Sequence, residues 1–231
     1  MKKLVIIPAY NEAENLEKVV TDIQLHASTF DYIIVNDCST DHTRYLCEEK
    51  GYPVLHLPYN LGIGGAVQAG YLFAERYDYD LAIQFDGDGQ HDASYLDALV
   101  DAQLESGADM IIGSRFIDKQ GFQSTRMRKL GIRFLSSLIG LLCQRRIYDV
   151  TSGMRLVNRQ VIQDFCAYYP SDYPEPETLA LILRRGYRVV EIPVKMRARK
   201  RGRSSITPLR SIYYMVKVTL AIFIDALKPN T

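Results

Sequence analysis

A chain of 231 residues has room for one α/β domain with a sizeable core and an appended element, and leaves two full domains cramped. Its composition, 47% hydrophobic and 24% charged, is that of an ordinary folded protein, and a formal net charge of +1 excludes a globally basic nucleic-acid binder. The near-neutral total hides a local excess: Lys195, Arg197, Arg199, Lys200, Arg201, Arg203 and Arg210 form a basic stretch without an acidic residue, suited to an anionic partner.

In chain order, Met1 to Ile7 carries two lysines before a short apolar run, but Pro8 ends the run too early for a secretory signal, so it reads as a first strand. Leu4–Ile7, Tyr32–Val35, Val54–Leu57, Leu81–Phe85 and Met110–Ile112 are strands alternating with helical patterns, which predicts βαβ units around a mainly parallel sheet. Between the first two, Leu16, Val19, Val20 and Ile23 recur at helical spacing, with Asn11 expected to cap the helix and Glu14 to reach back. A cap near Asp92 opens a helix with Leu96, Leu99 and Val100 on its inner face. Residues Asp118 to Thr125 read as a mobile surface loop, and Leu130, Phe134, Leu135, Leu138 and Leu142 predict a core-facing helix after it.

From Ile212 to Leu227 the helical pattern is apolar over much of its circumference, interrupted by Lys217 and Asp225, and falls short of the roughly 18 uninterrupted apolar residues that suggest a membrane span. Its surplus face needs cover, from a membrane surface or from a second copy of the chain. Cys38, Cys47, Cys143 and Cys166 are scattered without a C-x-x-C pair, so free thiols in a reducing cytoplasm are expected.

The sharpest chemical feature is Phe85-Asp86-Gly87-Asp88-Gly89-Gln90-His91, directly after an apolar strand. Open α/β sheets place ligands at that carboxyl end, and two carboxylates there, with the Gln90 amide oxygen, suit Mg²⁺ or Mn²⁺ sharing a diphosphate. The competing reading is a solvated Asp-Gly turn. Asp37 also follows a strand, where a carboxylate accepts from a nucleobase N–H or a ribose hydroxyl, while Ser39, Thr40 or Asp41 caps the next helix. Pro8, Ala9, Tyr10 and Glu12 line the same edge. Asn60-Leu61-Gly62-Ile63-Gly64-Gly65 opens a helix but matches no phosphate-loop pattern, so its glycines read as close packing.

Pro8–Glu12, Asn36–Thr43, Asn60–Gly70, Asp86–Asp92, Gly113–Arg115, Asp149–Gly153, Arg188–Pro193 and Gly202–Ile206 stand in the order of the blocks of the family 2 glycosyltransferases, and in these the chain resembles the dolichyl-phosphate mannose synthase and bacterial polyprenyl-phosphate branch. The resemblance implies a GT-A, Rossmann-like, mainly parallel sheet flanked by helices, with a catalytic domain over 1–206 and a C-terminal amphipathic helix over 207–231. It implies an inverting hexosyltransferase that takes a UDP- or GDP-sugar and serves bacterial cell-surface glycan synthesis. By the same resemblance Asp37 holds the base, Asp86 and Asp88 handle metal and diphosphate with Gln90 in the metal shell, and Arg115 faces the phosphates or sugar. Arg128 stands where the family keeps a phosphate-binding arginine. Asp149-Val150-Thr151 replaces the usual Asp-Pro, and Glu175 and Glu177 only approximate the acceptor-side acidic pair. A lipid-phosphate acceptor is an anion that needs no general base, and Arg199, Arg201 or Arg203 would orient it; a saccharide hydroxyl needs a base, Glu175 or Glu177, residues that otherwise read as helix N-terminal charge. The expected location is the cytoplasm, peripheral at the inner face of the plasma membrane, with a homo-oligomer through 207–227 as the rival use of the last helix. Two other classes compete: a nucleotidyltransferase, for which an early glycine-rich phosphate loop is lacking, and a non-catalytic nucleotide-binding protein, against which the intact Asp37, Asp86, Asp88 and Arg115 count.

Overall fold

The computed structural model describes residues 1–118, 120, 121, 126–172, 174–198 and 208–227, with the backbone alone for 126, 208–213 and 225–227. Seven strands form one sheet: β1 (Lys3–Ala9), β2 (Asp31–Asn36), β3 (Val54–His56), β4 (Leu81–Gln84), β5 (Met110–Ser114), β6 (Arg155–Asn158) and β7 (Val189–Pro193), in the order β3-β2-β1-β4-β6-β5-β7. β1, β2, β3 and β4 pair in parallel, as do β5 and β7, whereas β6 runs antiparallel between β4 and β5.

Strand periodicity divides the core. Leu4 and Ile6 point into one apolar cluster and Val5 and Ile7 into the other, on opposite faces of β1. Against the second face lie α1 (Ala13–His26), which buries Leu16, Val19, Val20 and Ile23, α2 (Thr43–Lys50), and α4 (Leu96–Ser106), which buries Leu96, Leu99 and Val100. Against the first lie α3 (Gly62–Arg76), α5 (Arg126–Cys143), α6 (Arg159–Ala167), α7 (Pro174–Arg184) and α8 (Pro208–Leu227). Each fully buried Ile or Leu contributes about 1.5–3 kcal/mol relative to an exposed one.

Two expectations are corrected. Asn11 does not cap α1: it sits at φ 57°, and its Oδ1 accepts from the Thr40 and Asp41 amides at 2.8 and 3.2 Å, tying the β1 loop to the β2 loop. Glu12 occupies the cap position, with no side-chain capping bond. On α5 the buried stripe is Ile132, Leu135 and Ile139, while Leu130 and Phe134 are 64% and 52% exposed, because the helix turns that flank away from the sheet. Of the expected loop over 118–125, residues 119 and 122–125 lie outside the described residues. The glycine loop packs as expected: a Cβ on Gly64 would stand 1.9 Å from the Pro170 carbonyl oxygen, to whose neighbour, the Ser171 carbonyl, Gly64 N–H donates at 3.0 Å.

Candidate active site

The carboxyl ends of β1, β2 and β4 converge, with Ala9 opposite Asn36 and Ile6 opposite Gln84. Beyond β2 the Asp37 N–H donates to the Ala9 carbonyl at 2.9 Å. Pro8 and Ala9 are buried, so their side chains belong to the core and their backbone forms the edge; Tyr10 is half exposed there, and Glu12 accepts from Asn15 Nδ2 at 2.7 Å. Asp41 Oδ1 accepts from the Thr43 amide at 2.9 Å, opening α2. Asp37 is 3% exposed, and its Oδ1 accepts from the Leu61 amide at 2.7 Å, at the start of α3. Burial pushes its carboxyl up, against the Leu61 and Gly62 amides, which favour the ionised form.

After β4 the chain turns through Asp86 to Gln90, and several contacts fix where the carboxylates stand. The Asp86 amide donates to His91 Nδ1 at 3.0 Å, which leaves the imidazole proton of the neutral ring on Nε2, 3.5 Å from Asp86 Oδ2. His91 is 3% exposed, edge-on to Phe85. Gln84 Nε2 donates to Asp86 Oδ1 at 3.2 Å. A Cβ on Gly153 would lie 2.6 Å from Asp86 Oδ2, and one on Gly87 2.9 Å from the Pro8 carbonyl oxygen, so glycine at both positions lets the backbone close around the carboxylate. Asp88 Oδ1 accepts from the Gln90 amide at 3.0 Å, and Gln90 Nε2 points to the Arg197 carbonyl at 3.4 Å, leaving Oε1 as the acceptor end of the amide. Among the described residues no group of three His, Cys, Asp or Glu side chains could hold a metal by itself. Two carboxylates and an amide oxygen are nonetheless hard oxygen donors that fit Mg²⁺ or Mn²⁺ completed by a diphosphate.

Arg115, expected to face the phosphates or sugar, is engaged by a carboxylate of the chain itself and stands near enough to Asp86 to feel its charge. It makes a bidentate pair with Asp149, Nε to Oδ2 and an Nη to Oδ1, both at 2.7 Å, and the same Nη reaches Thr151 Oγ1 at 3.0 Å. Asp149 is fully buried, so a charge-compensated pair there is stable where a lone charge would not be. Glu191 on β7 accepts from the Tyr148 and Asp149 amides at 2.7 and 2.8 Å, and burial raises its carboxyl. Arg115 thus braces the Asp149–Gly153 loop that walls Asp86.

Glu175 sits in the first turn of α7. Burial pushes its carboxyl up, Arg155 opposes this, and Asp86 adds to it. Arg155, 1% exposed, donates to the carbonyls of Ser152 at 2.8 Å, Glu175 at 2.7 Å and Val150 at 3.0 Å, joining that loop to α7. Glu177 instead accepts from Tyr168 Oη at 3.1 Å. Arg128 lies exposed in the first turn of α5, and Arg199, Arg201 and Arg203 lie outside the described residues. Sequence reasoning missed Gln84, His91 and Arg155. The available signal was Gln84, polar at the end of an otherwise apolar strand; Arg155 opens the short β6, Arg-Leu-Val-Asn, which the sequence does not mark as a strand.

The chain matches the family described as Glycosyl transferase family 2 over residues 4–166. It is 30% identical to the polyprenol monophosphomannose synthase of Mycolicibacterium smegmatis, over 89% of this chain and 81% of that one, and 28% identical to the undecaprenyl-phosphate mannosyltransferase of Micrococcus luteus, over 90% and 88%. A crystal structure of glucosyl-3-phosphoglycerate synthase from Mycobacterium tuberculosis, in complex with Mn²⁺, UDP and glucosyl-3-phosphoglycerate, superposes with a TM-score of 0.73 at 18% identity, over 97% of this chain and 79% of that one, and so shares its fold.

Proposed function

This chain belongs to glycosyl transferase family 2, and on that premise we propose that it moves a hexose from a nucleotide-diphosphate sugar to the phosphate of a polyprenyl-type lipid, at the cytoplasmic face of a bacterial plasma membrane, in cell-surface glycan synthesis. The observation that carries this reading is the Asp86–Gln90 turn, held at the sheet's carboxyl edge by His91, Gln84 and the Gly153 backbone.

Asp37 receives the nucleobase or ribose with the oxygen that the Leu61 amide does not occupy. Asp86, Asp88 and Gln90 would hold a divalent cation beside the donor's diphosphate. Bound there, Mg²⁺ or Mn²⁺ supplies positive charge against the charge that grows on the departing nucleoside diphosphate. The inverting geometry of the family places the acceptor opposite that leaving group. A phosphate monoester attacks as an anion and needs no base. Were the acceptor a saccharide hydroxyl, Glu175 would be the base, since its raised carboxyl keeps a proton more readily than an ordinary glutamate.

Support for a membrane acceptor comes from α5 and α8. On α8, Val218 and Ile222 are buried, yet Val216, Leu220, Phe223 and Ile224 are 55%, 55%, 45% and 58% exposed on the opposite flank. On α5, Met127, Leu130, Phe134 and Leu141 form a second exposed stripe, with Arg128 and Arg133 exposed beside it. The two helices meet where a Cβ on Gly131 would stand 3.1 Å from Met215 Sδ. Apolar stripes flanked by basic residues suit an anionic lipid interface. Among the described residues no helix is long and apolar enough to cross a membrane.

The test is incubation of the full chain with UDP- and GDP-sugars, with and without polyprenyl phosphate in anionic vesicles, followed by lipid extraction. A sugar-phospholipid, formed with release of nucleoside diphosphate, is expected. Transfer only to a saccharide, or release of pyrophosphate, overturns the reading.

A further inference from the structure

The Asp86–Gln90 turn contains Gly87 and Gly89, which widen the conformations open to it, and it carries two carboxylates that must be held in place to share a cation. Something must hold its outer side. The inner side is held by His91 and the Gly153 wall; the outer side meets Arg197, four residues beyond the end of β7.

Arg197 reaches the turn with both its backbone and its side chain. Its amide donates to the Gln90 carbonyl at 2.8 Å, and its own carbonyl receives the Gln90 amide group at 3.4 Å. One Nη donates to Asp22 Oδ2 at 2.7 Å and approaches the His91 carbonyl at 3.5 Å; the other lies 3.3 Å from Asp22 Oδ1 and 3.0 Å from Asp92 Oδ1. Asp22, on α1, also accepts from the Ala93 amide at 3.0 Å and faces His26 Nδ1 at 3.3 Å. One guanidinium therefore joins α1, the end of the carboxylate turn and the segment after β7. With Asp22 only 12% and Asp92 23% exposed, this cluster is not a loose surface pair. A lysine, a point charge on a flexible stem, spans two carboxylates and a carbonyl poorly.

We propose that Arg197 is a positioning residue for the metal–diphosphate site: it acts through Asp22, Asp92 and the Gln90 backbone to hold Asp86 and Asp88 in the arrangement that takes a divalent cation. The sequence groups Arg197 with a basic stretch offered to an anionic surface; the structure commits it to the turn instead. The inference rests on the donor-site reading given above.

The test reads Mn²⁺ affinity directly, as free Mn²⁺ by electron paramagnetic resonance, in the full chain with UDP or GDP present. Asp86→Asn should lose binding, which checks the donor site itself. Arg197→Met should weaken Mn²⁺ binding about tenfold in protein that circular dichroism shows still folded at the assay temperature, although its melting temperature falls because Asp22 and Asp92 lose their cation; Arg197→Lys should recover part of the loss, and Asp22→Asn should reproduce most of it. Asp22→Asn and Arg197→Met together should cost less than the sum of each, because both cut one contact. If wild type binds Mn²⁺, Asp86→Asn does not, and Arg197→Met and Asp22→Asn bind as wild type, the positioning role is overturned while the donor site stands. If wild type and Asp86→Asn bind alike, the donor site itself fails, and the inference with it. Should Arg197→Met not fold, Asp22→Asn and Arg197→Lys decide: unchanged Mn²⁺ affinity in both sinks the proposal.

Discussion

The two ends of the sheet solve different problems. Around β1, β2 and β4, polar side chains are spent on neighbouring loops: Asn11 on the Thr40 and Asp41 amides, Asp41 on Thr43, Asp37 on Leu61, His91 on Asp86. The Asn11 and Asp37 bonds tie one loop to another, and the Asp41 and His91 bonds fix their own loops, so that edge is preorganised before any ligand arrives. Beyond β5, α5 and α8 turn apolar side chains outward and leave them uncovered. On the proposed reading the first region recognises a small polar molecule by shape and charge. The second has no such shape; it offers area and charge, which is what a lipid surface selects.

The largest effect is expected where the preorganised edge meets chemistry. Asp86→Asn or Asp88→Asn removes a negative ligand from the site while keeping volume and most hydrogen bonds, so transfer should fall by a factor of about 10³, of the order seen when one charge-stabilising group is lost. A chelator should mimic both, and circular dichroism should show the fold unchanged. Either variant retaining full rate, or full rate in metal-free buffer, contradicts the metal-dependent reading.

A smaller effect belongs to the other region. Leu220→Asp with Phe223→Asp places charge in the middle of the α8 stripe without touching Val218 or Ile222, which pack inward. Co-sedimentation with anionic vesicles should be lost, and transfer to long-chain lipid phosphate should drop about tenfold, while donor hydrolysis and transfer to a short, water-soluble acceptor stay as they were. If the stripe instead joins two copies of the chain, light scattering will report a dimer that the double variant breaks, and vesicle binding will be absent from the start.

How much of this was legible varies along the chain in the same way. β1 to β5 and their helices are local βαβ units, and their apolar runs and helical spacings name them without tertiary information. β6 and β7 escape because β6 is four residues long, carries the buried Arg155, and is inserted antiparallel between strands distant in sequence. The carboxylate turn was readable from Asp86 and Asp88 following a strand. Its distant supports were not: Gly153 and Arg197 come from the loop before β6 and the segment after β7, and only the folded sheet brings them to the turn. Arg115 shows the converse. The family resemblance gave it a phosphate or sugar contact, but nothing in the sequence announced its partner Asp149, 34 residues on, which is buried beside it and pairs with the guanidinium.

The subtlest test separates two jobs that Asp37 holds at once. Its Oδ1 anchors the Leu61 amide at the start of α3, and its remaining oxygen is the one assigned to the nucleoside. Asp37→Asn keeps an oxygen acceptor for Leu61 but loses the charge, whereas Asp37→Ala loses both. Donor KM should therefore rise severalfold in Asp37→Asn and about tenfold in Asp37→Ala, with kcat nearly unchanged in the first, because the contact lies far from the bond that breaks. The pH dependence follows from the sign of the shift. Burial raises the Asp37 carboxyl, so as pH falls the charge is lost sooner than from an ordinary aspartate, and donor affinity should weaken on the acid side at a pH where exposed aspartates are still ionised. That acid limb should vanish in Asp37→Asn, which has no proton to take up. A kcat that collapses in Asp37→Asn while donor KM holds would move Asp37 out of the nucleoside site and leave it with the structural bond alone.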